Sequence, residues 1–205
     1  EKKCKIIVIA CNSASSFADH SVTMTNQKTS IINVIDPVVE EVVKKYANYN
    51  IGVIGTKATI GSSVYKKKIK ALCKRANVKS LATPLLAPMI EEGFINEVIS
   101  TTIISNYLSN KKLENIEHLI LACTHYPLIL QEIKNYYKGD VNIIDSANIV
   151  ANYIAKKLDV DNLLRNTSST HHYFYVSNYT ESFEKSAKFF LKENIKLKEL
   201  SLFNH

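Results

Sequence analysis

Cys11 and Cys123, two of the four cysteines in this 205-residue chain, stand in two copies of one local pattern. Each follows an apolar run and an alanine, and small polar side chains come next. The first copy reads Ile6-Ile7-Val8-Ile9-Ala10-Cys11-Asn12-Ser13-Ala14-Ser15, the second Leu119-Ile120-Leu121-Ala122-Cys123-Thr124-His125-Tyr126-Pro127-Leu128. An apolar run that stops at small polar residues reads as a buried strand entering a turn, the place where open α/β sheets hold ligands. A thiol there, ahead of a helix start, faces the positive end of a helix dipole, which favours thiolate. Two such thiols suit chemistry that needs a base on one face of a carbon and an acid on the other. Taken singly, each cysteine reads as inert core, the common fate of a free thiol. The matched contexts argue for function. Cys4 and Cys73 have no such setting and read as structural, Cys73 in mid-helix.

The neighbours supply what such a site needs. His125 lies two residues past Cys123, where an imidazole can tune the thiol or carry its proton. Asn12, Ser13, Thr124 and His125 can hold a carboxylate or an ammonium group. Gly55-Thr56-Lys57-Ala58-Thr59 follows a strand and leads into a helix, like an anion-binding turn. Its Thr59 reads equally as a helix N-cap. It matches neither the dinucleotide fingerprint nor the P-loop, so nucleotide binding has no support. Glu91 and Glu92 read as a helix-start pair facing water, or Glu91 orients His125 if its loop folds toward Cys123. His20, His118 and His205 have no comparable context, and the tandem His171-His172 reads as the start of a strand.

Composition bounds the rest. With 46% hydrophobic and 22% charged residues, the chain is ordinary globular material. A net charge of +7 invites a nucleic-acid reading. The lysines are scattered, however, and Lys66-Lys67-Lys68 with Lys70 reads as a solvated helix face. No aromatic residues interleave at base-stacking spacing. No cysteine or histidine spacing fits a metal site, and no cofactor is expected. No apolar stretch approaches the ~18 residues of a membrane span. Free thiols without a signal peptide point to the cytoplasm.

Strands and helices alternate, which argues parallel sheets with helices on both faces. Strands are expected at 5–10, 31–35, 51–56, 78–82, 117–122, 141–145 and 173–176. Helices are expected at 13–25, after an Asp36-Pro37 start, at 60–76, 94–108, 128–137, 148–158 and 183–191. Ser13 or Ser15 caps the first, Asp36 the second and Ser146 the helix at 148–158. Pro84 and Pro88 mark an irregular loop, and 159–170 reads as polar turns. The expected fold is α/β, with two similar lobes related by a pseudo-twofold and an active site between them. One lobe combines 1–48 with 149–205, the other spans 49–148, and each carries one cysteine strand.

Val8 to Ser15 resembles the first catalytic motif of the cofactor-independent glutamate racemases of the aspartate/glutamate racemase family, and Leu121 to Leu128 resembles the second. Val34-Ile35-Asp36-Pro37, Gly52 to Thr59, Pro84-Leu85, Pro88 to Gly93 and Ile144-Asp145-Ser146-Ala147 follow the same family in order. The resemblance implies that Cys11 acts on D-glutamate and Cys123 on L-glutamate, with His125, backed by Glu91, supporting Cys123. It implies that Asn12, Ser13, Thr124, His125 and Thr59 hold substrate, that no cofactor or metal takes part, and that the enzyme is a homodimer. D-glutamate then feeds peptidoglycan synthesis. The open alternatives are a racemase for aspartate and an inactive racemase-like protein that binds an acidic partner.

Two departures stand out. Ser13 replaces the family's usual Thr and keeps the hydroxyl. The family's opening Asp-Ser-Gly strand and its Pro-Tyr-Gly turn have no match here. A natural protein with a further N-terminal strand is therefore expected, central in the first lobe's sheet. The chain as it stands is expected to be poorly soluble or inactive.

Overall fold

The computed structural model describes residues 4–18, 29–165 and 171–201. Packing divides the chain into two units, Glu1–Ile90 with Phe94–Leu164, and Glu91–Gly93 with Arg165–His205.

In the first unit β1 (Ile6–Ile9) pairs in parallel with β2 (Ser30–Asn33), in register from Ile6 with Ser30 to Ile9 with Asn33. A second sheet holds β3 (Asn50–Gly55), β4 (Asn77–Ala82), β5 (His118–Ala122) and β6 (Asn142–Ile144), all parallel in the order β4-β3-β5-β6. Parallel neighbours need long crossovers, and helices supply them. They are α1 (Asn12–Phe17), α2 (Asp36–Tyr46), α3 (Lys57–Ser62), α4 (Val64–Leu72), α5 (Leu86–Glu91), α6 (Val98–Leu108), α7 (Leu130–Tyr137) and α8 (Ser146–Val160). The core sits where α2 and α4 cover the larger sheet. There Val38, Val42, Tyr65 and Ile69 pack with Ile51, Val53, Ile120 and Ala122. The second unit holds two parallel strands, β7 (Phe174–Val176) and β8 (Leu197–Glu199), joined through α9 (Glu181–Leu191). The α/β class read from the alternation is the observed one.

Several local expectations need correction. Asp36 is the first residue of α2 and not its cap. The capping role falls to Asn33, whose Oδ1 accepts from the Ile35 and Asp36 amides, each at 2.9 Å, while its Nδ2 donates to Asp36 Oδ2 at 2.7 Å. The helix expected over 60–76 is broken at Ser63, which adopts φ 57°. Ser62 promotes the break: its hydroxyl donates to the Thr59 carbonyl at 2.7 Å and accepts from the Val64 amide at 3.2 Å, in competition with the helical ladder. Cys73 is the C-cap of α4 and not a mid-helix residue. α5 starts inside the Pro84–Pro88 segment and runs on to Glu91, and α6 starts only at Val98, behind a capping box of Glu97 and Ser100. The helix expected from Leu128 starts as a 3-10 turn over Tyr126–Ile129. Asp145, not Ser146, caps α8, accepting from the Ala147 amide at 2.9 Å, and that helix runs on through Val160. His171 and His172 precede β7 and lie outside it, and the sequence reading contains no counterpart of β8. His20, His205 and the expected helical residues 19–25 fall outside the described residues.

Candidate functional site

The C-terminal ends of the parallel strands gather most of the chemistry. Gly55 of β3 lies in register with Ala82 of β4 and Ala122 of β5. A side chain at Gly55 would bring a Cβ within 3.0 Å of the Ala122 carbonyl oxygen and 3.4 Å of its Cβ. Glycine therefore lets β3 end close beside the strand that delivers Cys123.

Cys123 follows β5 directly and is 6% exposed. Its Sγ stands 3.6 Å from His125 Nδ1, within reach of a sulfur hydrogen bond. Two buried hydroxyls fix the turn that carries it. Tyr126 Oη meets Thr83 Oγ1 at 2.6 Å. Thr83 Oγ1 in turn donates to the Gly55 carbonyl at 3.2 Å, so the ends of β3, β4 and β5 are tied together. Ser146 adds a bond to the Leu121 carbonyl at 2.9 Å. Thr124 is exposed and His125 half-buried.

Cys11 is exposed and occupies the N-cap position of α1. Ser15 braces that turn from within, donating to the Ile9 carbonyl at 2.9 Å and accepting from the Val34 amide at 3.4 Å. The two residues after Cys11 reach the elements of the larger sheet. Ser13 Oγ lies 2.7 Å from Thr56 Oγ1 and 3.3 Å from Thr59 Oγ1. Those two threonines are themselves 3.1 Å apart, so three hydroxyls form one hydrogen-bonded group. Asn12, 2% exposed, accepts from Tyr65 Oη at 2.7 Å.

The second motif is felt at the same place. Burial above all holds the Tyr65 phenol well over its usual value, and Asp36 and Cys123 push it further the same way. Burial raises Tyr126 too, opposed by its bond to Thr83 and aided by Cys123. Both phenols therefore stay protonated as hydrogen-bond donors near the buried thiol.

The structure thus brings Asn12, Ser13 and Thr59 together, and sets His125 against Cys123. Thr59 is not the cap of α3: Thr56 is, accepting from the Thr59 amide at 3.2 Å, while Thr59 is buried in the first turn with its hydroxyl in the group around Ser13. Glu91 is the exposed last residue of α5. Thr56 enters the sequence reading only as part of the Gly55–Thr59 turn, with no role of its own, and Tyr65 does not enter it at all. Thr56 was visible as a hydroxyl residue just ahead of a helix. Tyr65 had no signal, since its partner is 53 positions away. Among the described residues no group of three or more His, Cys, Asp or Glu converges to hold a metal ion, and no helix is long and apolar enough to cross a membrane.

Residues 1–154 match the family model described as Asp/Glu/hydantoin racemase. The chain is 34% identical over 198 residues to the glutamate racemase of Aquifex aeolicus, covering 97% of this chain and 74% of that one. It is 37% identical over 198 residues to the glutamate racemase of Persephonella marina, covering 96% and 73%. Among solved structures, it is similar to the glutamate racemase of Francisella tularensis in complex with D-glutamate, with TM-score 0.89, 33% identity, and coverage of 98% of this chain and 74% of that one. A glutamate racemase isoform from Bacillus anthracis gives TM-score 0.87 and 32% identity, covering 97% and 74%. The aspartate racemase of Picrophilus torridus, at 22% identity and TM-score 0.56, shares the fold.

Proposed function

The chain belongs to the Asp/Glu/hydantoin racemase family, and from that premise we propose that it interconverts L- and D-glutamate by a two-base reaction that uses no cofactor. The observation that carries the reading is the matched pair of cysteine turns at strand ends, one thiol paired at 3.6 Å with an imidazole. The named substrate of its similar relatives selects glutamate over aspartate.

In the proposed reaction a thiolate removes the α-hydrogen as a proton, the C–H electrons stay on the carbon, and the opposite thiol returns a proton to the other face. The C–H bond lost is replaced by a C–H bond gained, one thiol is exchanged for the other, and nothing is oxidised. Cys11 is the base toward D-glutamate and Cys123 toward L-glutamate. His125 moves the proton of Cys123 between turnovers. Asn12, Ser13, Thr59 and Thr124 bind the charged ends of the substrate. The buried phenols and the tied strand ends hold these groups in place ahead of the reaction, so little reorganisation remains for the chemical step. The same reading makes D-glutamate for peptidoglycan the purpose, the cytoplasm the place and a homodimer the assembly.

Heavy water tests it. With L-glutamate as substrate, early D-glutamate should carry deuterium at the α-carbon while recovered L-glutamate stays protonated. The product-face thiol exchanges with solvent, and the abstracted proton resides on the other thiol. Early D-product that keeps its original hydrogen would exclude two separate bases.

A further inference from the structure

The carboxamide of Asn12 is half used. Its Oδ1 accepts the Tyr65 phenol proton at 2.7 Å, while Nδ2 is buried with no hydrogen-bond partner among the described residues. A buried donor without an acceptor is a standing cost to a fold, and natural cores keep few of them. Rotating the amide by half a turn would offer that NH2 to the phenol oxygen. It would also leave the phenol proton without an acceptor. Tyr65 cannot escape by ionising, because burial, with Asp36 and Cys123 behind it, keeps the phenol protonated. Nor can the hydroxyl move far: Tyr65 is 2% exposed, and its ring packs into the core with Val38, Ile51 and Val53. The phenol therefore demands an oxygen at one fixed point, and only one orientation of the Asn12 amide provides it.

We propose that Tyr65 is a positioning residue: it locks the Asn12 carboxamide so that the NH2 group, next to Cys11, is what meets the substrate. The inference rests on the glutamate reading and adds to it the polarity of recognition. An NH2 group donates only, so it binds a carboxylate of the amino acid and disfavours the ammonium. A flipped amide would do the reverse. On this argument a hydroxyl on α4 decides which end of the substrate is held beside the first cysteine.

Tyr65→Phe is the test, since it removes the hydroxyl and keeps the ring. With the carboxylate held equally in ground and transition states, KM for both enantiomers should rise about tenfold and kcat stay within about twofold. Thermal melting checks that the variant is folded. Asn12→Ala should raise KM to a similar level, and Tyr65→Phe added to Asn12→Ala should raise it no further, because Tyr65 acts only through the amide. If Asn12→Ala does not fold, Asn12→Asp takes its place in the cycle, since it keeps an acceptor for Tyr65 and lacks the NH2. A KM for Tyr65→Phe within about twofold of an active wild type, or a full effect persisting in the Asn12 variant, overturns the positioning role and leaves the racemase reading intact. A folded wild type that neither binds glutamate by calorimetry nor racemises it overturns both.

Discussion

Cys11 and Cys123 end strands of the same design in different surroundings. β5 lies between β3 and β6, and all five of its residues are buried. β1 pairs with β2 alone among the described strands, none of its four residues is fully buried, and Ile7 is 39% exposed. The thiols follow their strands, with Cys123 buried and Cys11 exposed. An apolar run thus specifies that a strand forms, while its depth is set by what packs on both edges and faces. The exposed half is compensated by polar links. Ser13 to Thr56 and Thr59, and Asn12 to Tyr65, fasten the first cysteine turn to the helices of the larger sheet.

The sharpest test asks whether the two halves are chemically equivalent despite this difference. Cys11→Ala and Cys123→Ala should each lower net racemisation by about 10²–10⁴-fold, the usual worth of a positioned acid or base. Cys4→Ala and Cys73→Ala should be nearly silent. D-glutamate formation measured on folded variants decides it. If Cys73→Ala lost as much rate as Cys123→Ala, the assignment of the pair would fail.

The next effect is on stability and should break the symmetry. Leu121 is 0% exposed in β5, so Leu121→Ala should cost about 2–5 kcal/mol in denaturant unfolding. Ile7→Ala, at a site already 39% open, should cost well under half of that, roughly 1 kcal/mol. Amide exchange should agree, with residues 118–122 more protected than 6–9. Equal costs and equal protection would mean that β1 is as deeply held as β5.

The smallest effect lies at the opposite end of β5. The His118 ring stacks on Tyr46 with centroids 4.1 Å apart, meets Tyr49 edge-on at 4.7 Å, and has Asn142 Nδ2 3.0 Å from its Nδ1. Burial lowers its pKa below the usual value, with Glu117 opposing. The folded protein therefore takes up this proton at lower pH than the unfolded chain does. The neutral ring's contribution is complete above about pH 7 and is lost as pH falls through about 6.5 toward the lowered folded value. Unfolding midpoints measured from pH 7.5 down to 5 should fall less in His118→Gln than in the wild type. A steeper fall in the variant would reverse the sign of the argument.

How much was legible follows from the range of the forces involved. The two cysteine turns, the helix start at Pro37 and the parallel α/β alternation were readable because apolar periodicity and turn chemistry are local. The break at Ser63 was only half legible: Gly61-Ser62-Ser63 is a weak stretch for a helix, but an isolated glycine or serine is often carried through one, and the hydroxyl bonds of Ser62 that compete with the ladder appear only in the fold. The role of Thr59 was half legible: its place at a helix start was plain, but not that Thr56 does the capping and leaves the Thr59 hydroxyl for Ser13.

By itself the sequence determined which residues could do chemistry, that two thiols would stand at strand ends, and that the sheets would be parallel. These follow from side-chain type and from spacings of a few residues. Only the tertiary structure decided that Cys123 is buried against His125 while Cys11 is open, and that Tyr65 meets Asn12. Burial and pairing across tens of residues depend on which surfaces the whole chain packs together, and no local pattern carries that information.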